Sequence, residues 1–251
     1  MQGDLTASAC FRSNCIAMPQ LAVIFDVDGV LVDSYDAHFR SWQKLYGELG
    51  VEYDEAAFAA DFGRTSRDIL RRTLGDDLSD ERIREIDRRK EALYRDIVRQ
   101  NFPAMDGATE LIEALAEGEF LLAVASSGPP ENIALALENV DPNGRIRVAV
   151  TGGDVTRGKP DPQVFQIAAE RLGVPPAACA VVEDAAHGVE AARCAGMKII
   201  ALTGTADRKT LSAADLIVDR LREITPEVLA ELFQENRHGD NRVADKSGRG
   251  L

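Results

Sequence analysis
Cysteine is scarce in this chain. The four thiols, Cys10, Cys15, Cys179 and Cys194, form no C-x-x-C pair. They read as buried or free thiols of a reducing cytosol. No apolar run approaches the length of a membrane span. The first twenty residues carry Asp4 and Arg12 among small and polar side chains and lack an apolar stretch. Residues 1–19 therefore read as a flexible leader without a secretory signal. Positive charge is in deficit, with 29 Lys and Arg against 42 Asp and Glu and a formal net charge of −13. That balance argues against nucleic acid and anionic membranes as partners. The expectation is a cytoplasmic monomer acting on a small molecule. If that molecule is itself an anion, the chain must supply positive charge locally, from a cation and a few placed Lys or Arg.

Hydrophobic residues make up 45% of the 251 positions, enough for a substantial core. Leu21–Phe25 is a continuous apolar run, the pattern of a parallel strand buried on both faces. It stops at Asp26-Val27-Asp28-Gly29. From there to about Phe102 only helical spacing is present. Phe39, Trp42, Tyr46 and Leu49 recur at three and four residues, and Ser79 stands as the N-cap of a long charged helix through Val98. Beyond Pro103 helices and strands alternate: helix Gly107–Ala116, strand Phe120–Ala125, helix Glu131–Glu138, strand Ile146–Val150. A helix opened by Asp161-Pro162 and ending before Gly173 follows. Strand Ala180–Val182, helix His187–Ala195, strand Lys198–Leu202 and a short strand Leu216–Val218 complete the series. This alternation predicts an α/β fold, a doubly wound parallel sheet of Rossmann-like type, with an inserted all-helical cap. The core falls at residues 20–34 and 104–233 and the cap at 35–103. The polar, Gly-bearing residues 234–251 read as a disordered tail.

Open α/β sheets bind ligands at the carboxyl ends of their strands. There the first strand offers Asp26 and Asp28, the second Ser126 and Ser127, and the strand Ala180–Val182 offers Glu183 and Asp184. Lys159 precedes a Pro at a helix start. Four carboxylates in one crevice repel unless a hard cation sits among them, and Mg²⁺ binds carboxylates, carbonyls, waters and phosphate oxygens. Ser126 with nearby backbone N–H groups can hold a phosphate oxygen, and Lys159 can neutralise nucleophile and phosphate together. The set suits phosphoryl transfer. A calcium loop is a poorer reading of Asp26 and Asp28, because Val30-Leu31-Val32 is too apolar for one. Asp33 reads as a structural loop residue, His187 as a neighbour of the site, and His238 as an inert tail residue.

Asp26-Val27-Asp28-Gly29-Val30-Leu31-Val32-Asp33-Ser34 resembles the first motif of the haloacid-dehalogenase-like superfamily. Ser126 resembles the second, and Lys159 within Gly158-Lys159-Pro160-Asp161-Pro162 the third. Glu183-Asp184 with the following Gly188-Val189-Glu190-Ala191-Ala192 and Ala195-Gly196-Met197 resembles the fourth. The order and spacing span roughly residues 21–232, and the helical block lies where that superfamily carries its caps. The resemblance implies an aspartyl-phosphate on Asp26 and an acid/base at Asp28. It implies Mg²⁺ held by the Asp26 side chain, the Asp28 carbonyl and Asp184, with Glu183 direct or through water. Ser126 and Lys159 would grip the phosphate.

In the cap, His38 and Trp42 share a helix face. Gly63-Arg64-Thr65-Ser66-Arg67 opens a helix and offers its N-terminus, Arg64 and Arg67 to an anion. Lys90 and Tyr94 lie on a charged helix expected to be solvated. His38, Trp42, Arg64, Arg67, Lys90 and Ser127 are the candidate substrate contacts. The stretch His38-Phe39-Arg40-Ser41-Trp42 with Arg89, Lys90 and Tyr94 is similar to the β-phosphoglucomutase group. Yet Ser126-Ser127-Gly128-Pro129-Pro130 lacks that group's later serine and Lys-Asn, and Ser66 stands where it has an arginine. The expectation is a phosphatase of a small phosphorylated metabolite. The alternatives are a mutase on sugar phosphates or, in a different class, a non-catalytic phospho-ligand module.

Overall fold
The computed structural model describes residues 20–61 and 64–240, with side chains described through Gln234. Six parallel strands form one sheet in the order β3-β2-β1-β4-β5-β6. β1 (Ala22–Phe25) lies between β2 (Leu121–Ala125) and β4 (Cys179–Glu183), in register Ala22↔Leu121 and Ala22↔Cys179. β3 (Ile146–Val150) flanks β2, while β5 (Lys198–Leu202) and β6 (Leu216–Val218) continue beyond β4. The chain thus winds one way from β1 to β3 and the other way from β4 onward, which puts the switch point at the carboxyl end of β1.

The apolar run of β1 is continuous because each face of the sheet is covered. Val23 and Phe25 pack towards α5 (Ala108–Glu117), α6 (Pro130–Val140) and α9 (Pro226–Asp240). Ala22 and Ile24, one residue out of phase, pack towards α7 (Gln163–Leu172) and α8 (Ala186–Ala195).

Between β1 and α5 lie α1 (Tyr35–Glu48), α2 (Glu55–Asp61), α3 (Ser66–Leu74) and α4 (Asp80–Gln100). They bury a cluster of their own, with Trp42, Leu45, Tyr46, Phe58, Ile69, Leu70, Ile83, Ile86 and Leu93 at its centre. Ser79 caps α4 through a bond from the Arg82 N–H at 3.2 Å, and Thr65 caps α3 likewise. The two connections between this block and the sheet run side by side. The Asp33 N–H donates to Pro103 O at 2.8 Å and the Met105 N–H to Leu31 O at 3.0 Å.

Three details differ from the sequence reading. α7 begins at Gln163; Asp161 still acts as a cap, its carboxylate accepting the Gln163 N–H at 3.0 Å from one residue further out. α9 continues through Asp240, into the stretch read as disordered tail. Extending a nucleated helix adds one hydrogen bond per residue and needs no apolar side chain. Lys90 and Tyr94 are buried rather than solvated, because α4 packs along α1 with that face inward. The leader with Cys10 and Cys15 lies outside the described residues, as do Gly63 and residues 241–251. Cys179 is buried and Cys194 exposed, both free. Among the described residues no helix is long and apolar enough to cross a membrane.

Candidate active site
The carboxyl ends of β1, β2 and β4 bring Asp26, Ser126, Glu183 and Asp184 together, all nearly inaccessible to solvent. The ligand oxygens of Asp26, Glu183 and Asp184 all lie within 4.8 Å of one another. Lys159, joined to Pro160 by a cis peptide, enters from the loop before α7. Its Nζ donates to Asp26 Oδ1 at 2.6 Å and to Glu183 Oε1 at 2.6 Å. The other Glu183 oxygen accepts the backbone N–H groups of Asp184 and Ala185 at 2.8 and 2.9 Å.

Glycine makes this packing possible at two points. Gly29 has φ of +79°, and a Cβ there would overlap Asp184 Oδ2. A Cβ on Gly188 would overlap the Glu183 carboxylate. Both carboxylates therefore rest directly on backbone.

Burial pushes the Asp26 carboxyl well above its ordinary range, with Glu183 and Asp184 adding to the push and Lys159 opposing it. Asp184 is pushed up to about 7 by burial first and by Glu183 second. For Glu183, Lys159 and the two backbone donors outweigh burial, and its carboxyl sits below the ordinary value. With all three acids ionised, one ammonium leaves two negative charges uncompensated, which matches one divalent cation. An all-oxygen donor set suits a hard ion of the Mg²⁺ or Ca²⁺ kind.

Asp28 stands apart from that cluster. Its side chain turns to the cap, where His38 Nε2 lies 3.2 Å from Oδ1. His38 Nδ1 is 2.8 Å from Lys90 Nζ. An ammonium can only donate, so Nδ1 accepts and the ring hydrogen on Nε2 goes to Asp28. Burial raises the Asp28 carboxyl, but the His38 hydrogen bond, Ser34 and the Lys90 charge outweigh it and hold it at about 2. Tyr94 stacks on the His38 ring at 4.3 Å between centroids. Ser126 Oγ accepts the Gly128 N–H at 3.0 Å, folding the loop back so that Gly128 lies near Asp28 Oδ2. Ser127 is exposed on that loop.

Beyond Asp28 a cavity of about 160 Å³ is lined by His38, Trp42, Phe58, Asp61, Arg64, Ser66, Ile69 and Lys90. Of the expected cap contacts, His38, Trp42, Arg64 and Lys90 thus share one wall. Arg67 is turned to Asp80 at 2.7 Å and is absent from that lining, while Ser66 takes part in it. Asp61, a buried carboxylate bonded to Tyr53 and Arg72, is missing from the sequence reading. So are Thr205, which bonds to Asp184, and Glu91, Arg95 and Asn132 at the junction of cap and core. Glu91 and Arg95 are four apart and so share a helix face, but their partner on α6 has no signature in the sequence. His187 is exposed in the first turn of α8, and His238 lies beyond the described side chains.

Residues 23–202 match the model of the haloacid dehalogenase-like hydrolases. The chain belongs to that family. A validoxylamine A 7'-phosphate phosphatase of Streptomyces hygroscopicus subsp. limoneus is 32% identical, over 80% of this chain and 94% of that one. A β-phosphoglucomutase of Bacillus subtilis is 28% identical over 86% and 96%. Among solved structures, a haloacid dehalogenase hydrolase of family IA, variant 3, from Entamoeba histolytica superposes with a TM-score of 0.76. That match has 26% identity and covers 86% of this chain and all of that one. The chain is accordingly an enzyme of the phosphatase group.

Proposed function
We propose that this enzyme is a Mg²⁺-dependent phosphatase that hydrolyses a small monophosphorylated metabolite, of sugar or polyol type, through an aspartyl-phosphate on Asp26. Lys159 fixes Asp26 Oδ1 and so leaves the second carboxylate oxygen to attack phosphorus in line. The P–O bond to the leaving group breaks as the Asp26–phosphorus bond forms, and Asp28 hands its proton to the departing oxygen. Without substrate Asp28 is held as the carboxylate; a phosphate dianion bound in front of it raises its proton affinity. Once deprotonated, Asp28 takes a proton from water, and that water displaces phosphate from Asp26. Ser126 and the N–H groups of its loop hold the phosphoryl oxygens. When bound, Mg²⁺ would supply positive charge to offset that of the phosphoryl oxygens. Asp26, Asp184 and the Asp28 carbonyl would hold it, with Glu183 through water, because both Glu183 oxygens already accept hydrogen bonds. We read the protein as a cytoplasmic monomer, and its net charge of −13 speaks against a nucleic-acid or membrane partner.

Hydrolysis is favoured over mutase chemistry by one observation: of the candidate cap cations Lys90 and Arg67 are held by protein partners, and Arg64 is left as the loosely paired one. Lys90 is bonded to His38 and Glu91, and Arg67 to Asp80. Arg64 faces the buried Asp61 carboxylate at 4.0 Å. Pro129 and Pro130 open α6 without backbone donors. The mutase reading keeps support from the His38, Trp42 and Lys90 wall. The deciding experiment supplies β-glucose 1-phosphate, Mg²⁺ and a trace of the 1,6-bisphosphate, beside a panel of sugar and polyol monophosphates. Phosphate release is expected to exceed isomer formation throughout; glucose 6-phosphate accumulating faster than phosphate would overturn the choice.

A further inference from the structure
Asn132 belongs to the core yet its side chain is bonded to the cap. It stands in the first turn of α6, 8% exposed, two residues after Pro130. Its Nδ2 donates to Glu91 Oε2 at 2.6 Å, and Arg95 donates to its Oδ1 at 2.9 Å. Both partners lie on α4, one turn apart. An amide offers one donor edge and one acceptor edge, so it satisfies an anion and a cation side by side, as no carboxylate, ammonium or apolar group of that size can. An apolar seam of Ala37, Tyr94, Val98 and Leu135 surrounds the junction.

The contact does not end at Glu91. Glu91 Oε1 accepts from Lys90 Nζ at 2.8 Å, and the same ammonium donates to His38 Nδ1. His38 in turn donates to Asp28. A continuous line of hydrogen bonds therefore leaves the core at Asn132, crosses α4 and α1, and returns to the core at Asp28. Every link has a defined direction. Lys90 Nζ thus serves Glu91 and His38 with two of its three hydrogens, while Asn132 engages the other oxygen of Glu91.

We propose that Asn132 is a positioning residue for Asp28: by gripping Glu91 and Arg95 it seats the cap and orients Lys90 and His38, so the acid/base is set only when α4 lies against α6. This rests on the phosphatase reading for the role of Asp28, but the orientation itself can be observed without turnover.

The test is a reversal of one hydrogen bond. Asn132→Asp keeps the acceptor for Arg95 and sets a second carboxylate against Glu91. Adding Glu91→Gln restores the pair with donor and acceptor exchanged, while the Gln carbonyl still receives Lys90. For the single variant kcat on a sugar monophosphate should fall about tenfold or more, as expected for like charges forced together at a buried contact, with KM little changed. The double variant should recover to within about threefold of wild type, since the two sites are directly coupled. In the ligand-free proteins, nitrogen-correlated NMR of the three histidines reads the His38 ring directly. Its resonances should move in the single variant and return in the double. A single variant within about twofold of wild type, or a double no better than the single with unchanged Tm, would overturn the proposal. If Asn132→Asp does not fold, Asn132→Ser takes its place: a kcat loss above about threefold with KM kept supports the proposal, and a smaller loss overturns it. An enzyme with no phosphatase activity at all would defeat the functional reading, while the His38 resonances would still decide this one.

Discussion
Replacing Lys159 with alanine should destabilise the metal-free protein strongly at about pH 8 and much less at about pH 5. The Lys159 side chain is 3% exposed, and its ammonium lies 2.6 Å from both Asp26 Oδ1 and Glu183 Oε1. Removing one partner of a buried ion pair costs about 3–5 kcal/mol. A chain of this size loses roughly 2–4 °C of Tm per kcal/mol, so the drop at the higher pH should be about 6–20 °C. The pH dependence follows from the raised carboxyls. Asp184 is pushed up to about 7 in the fold, from about 3.9 in an unfolded chain, and Asp26 is raised as well. A raised acid holds its proton more tightly folded than unfolded. It therefore favours the fold at low pH, and that contribution is lost as pH rises from about 4 through about 7. Without Lys159 both acids keep their protons to still higher pH, so protonation at about pH 5 covers much of the loss. Mg²⁺ should restore part of it at about pH 8 by placing positive charge among the same oxygens. Thermal melts of wild type and variant, at both pH values, with EDTA and with Mg²⁺, measure all of this. A drop below about 3 °C at the higher pH, or an equal drop at both, refutes the idea that this ammonium offsets buried negative charge in the cluster.

Asp26→Asn should abolish turnover while the fold persists, because an amide is a poor nucleophile; retention of more than about a tenth of wild-type kcat, a loss of only about 1.4 kcal/mol, would remove Asp26 from that role. Gly29→Ala should raise the Mg²⁺ concentration needed for half-maximal activity by about tenfold or more, since its methyl displaces Asp184 and the left-handed backbone adds about 1–2 kcal/mol of strain. A Mg²⁺ titration checks this, and an unchanged requirement would separate Gly29 from the metal site.

The sequence by itself determined the sheet and which polar side chains gather at its carboxyl edge. Leu21–Phe25 is apolar without alternation, as a strand covered on both faces requires, and the acids follow at once because a strand end at a switch point is where polar groups meet solvent and ligand. Lys159, Ser126, Glu183 and Asp184 were legible for the same reason: each stands at the end of a readable strand or at a Pro-marked helix start. The limits of α9 and the placement of Lys90 were not legible, since a polar helix looks alike whether it ends early, faces water or packs inward. Only the tertiary structure decided what Asp28 touches. The path from Asn132 through Glu91, Lys90 and His38 to Asp28 follows no fixed sequence spacing. It exists because α1, α4 and α6 meet, and hydrogen-bond partners across such a junction are set by packing geometry, which local periodicity does not encode.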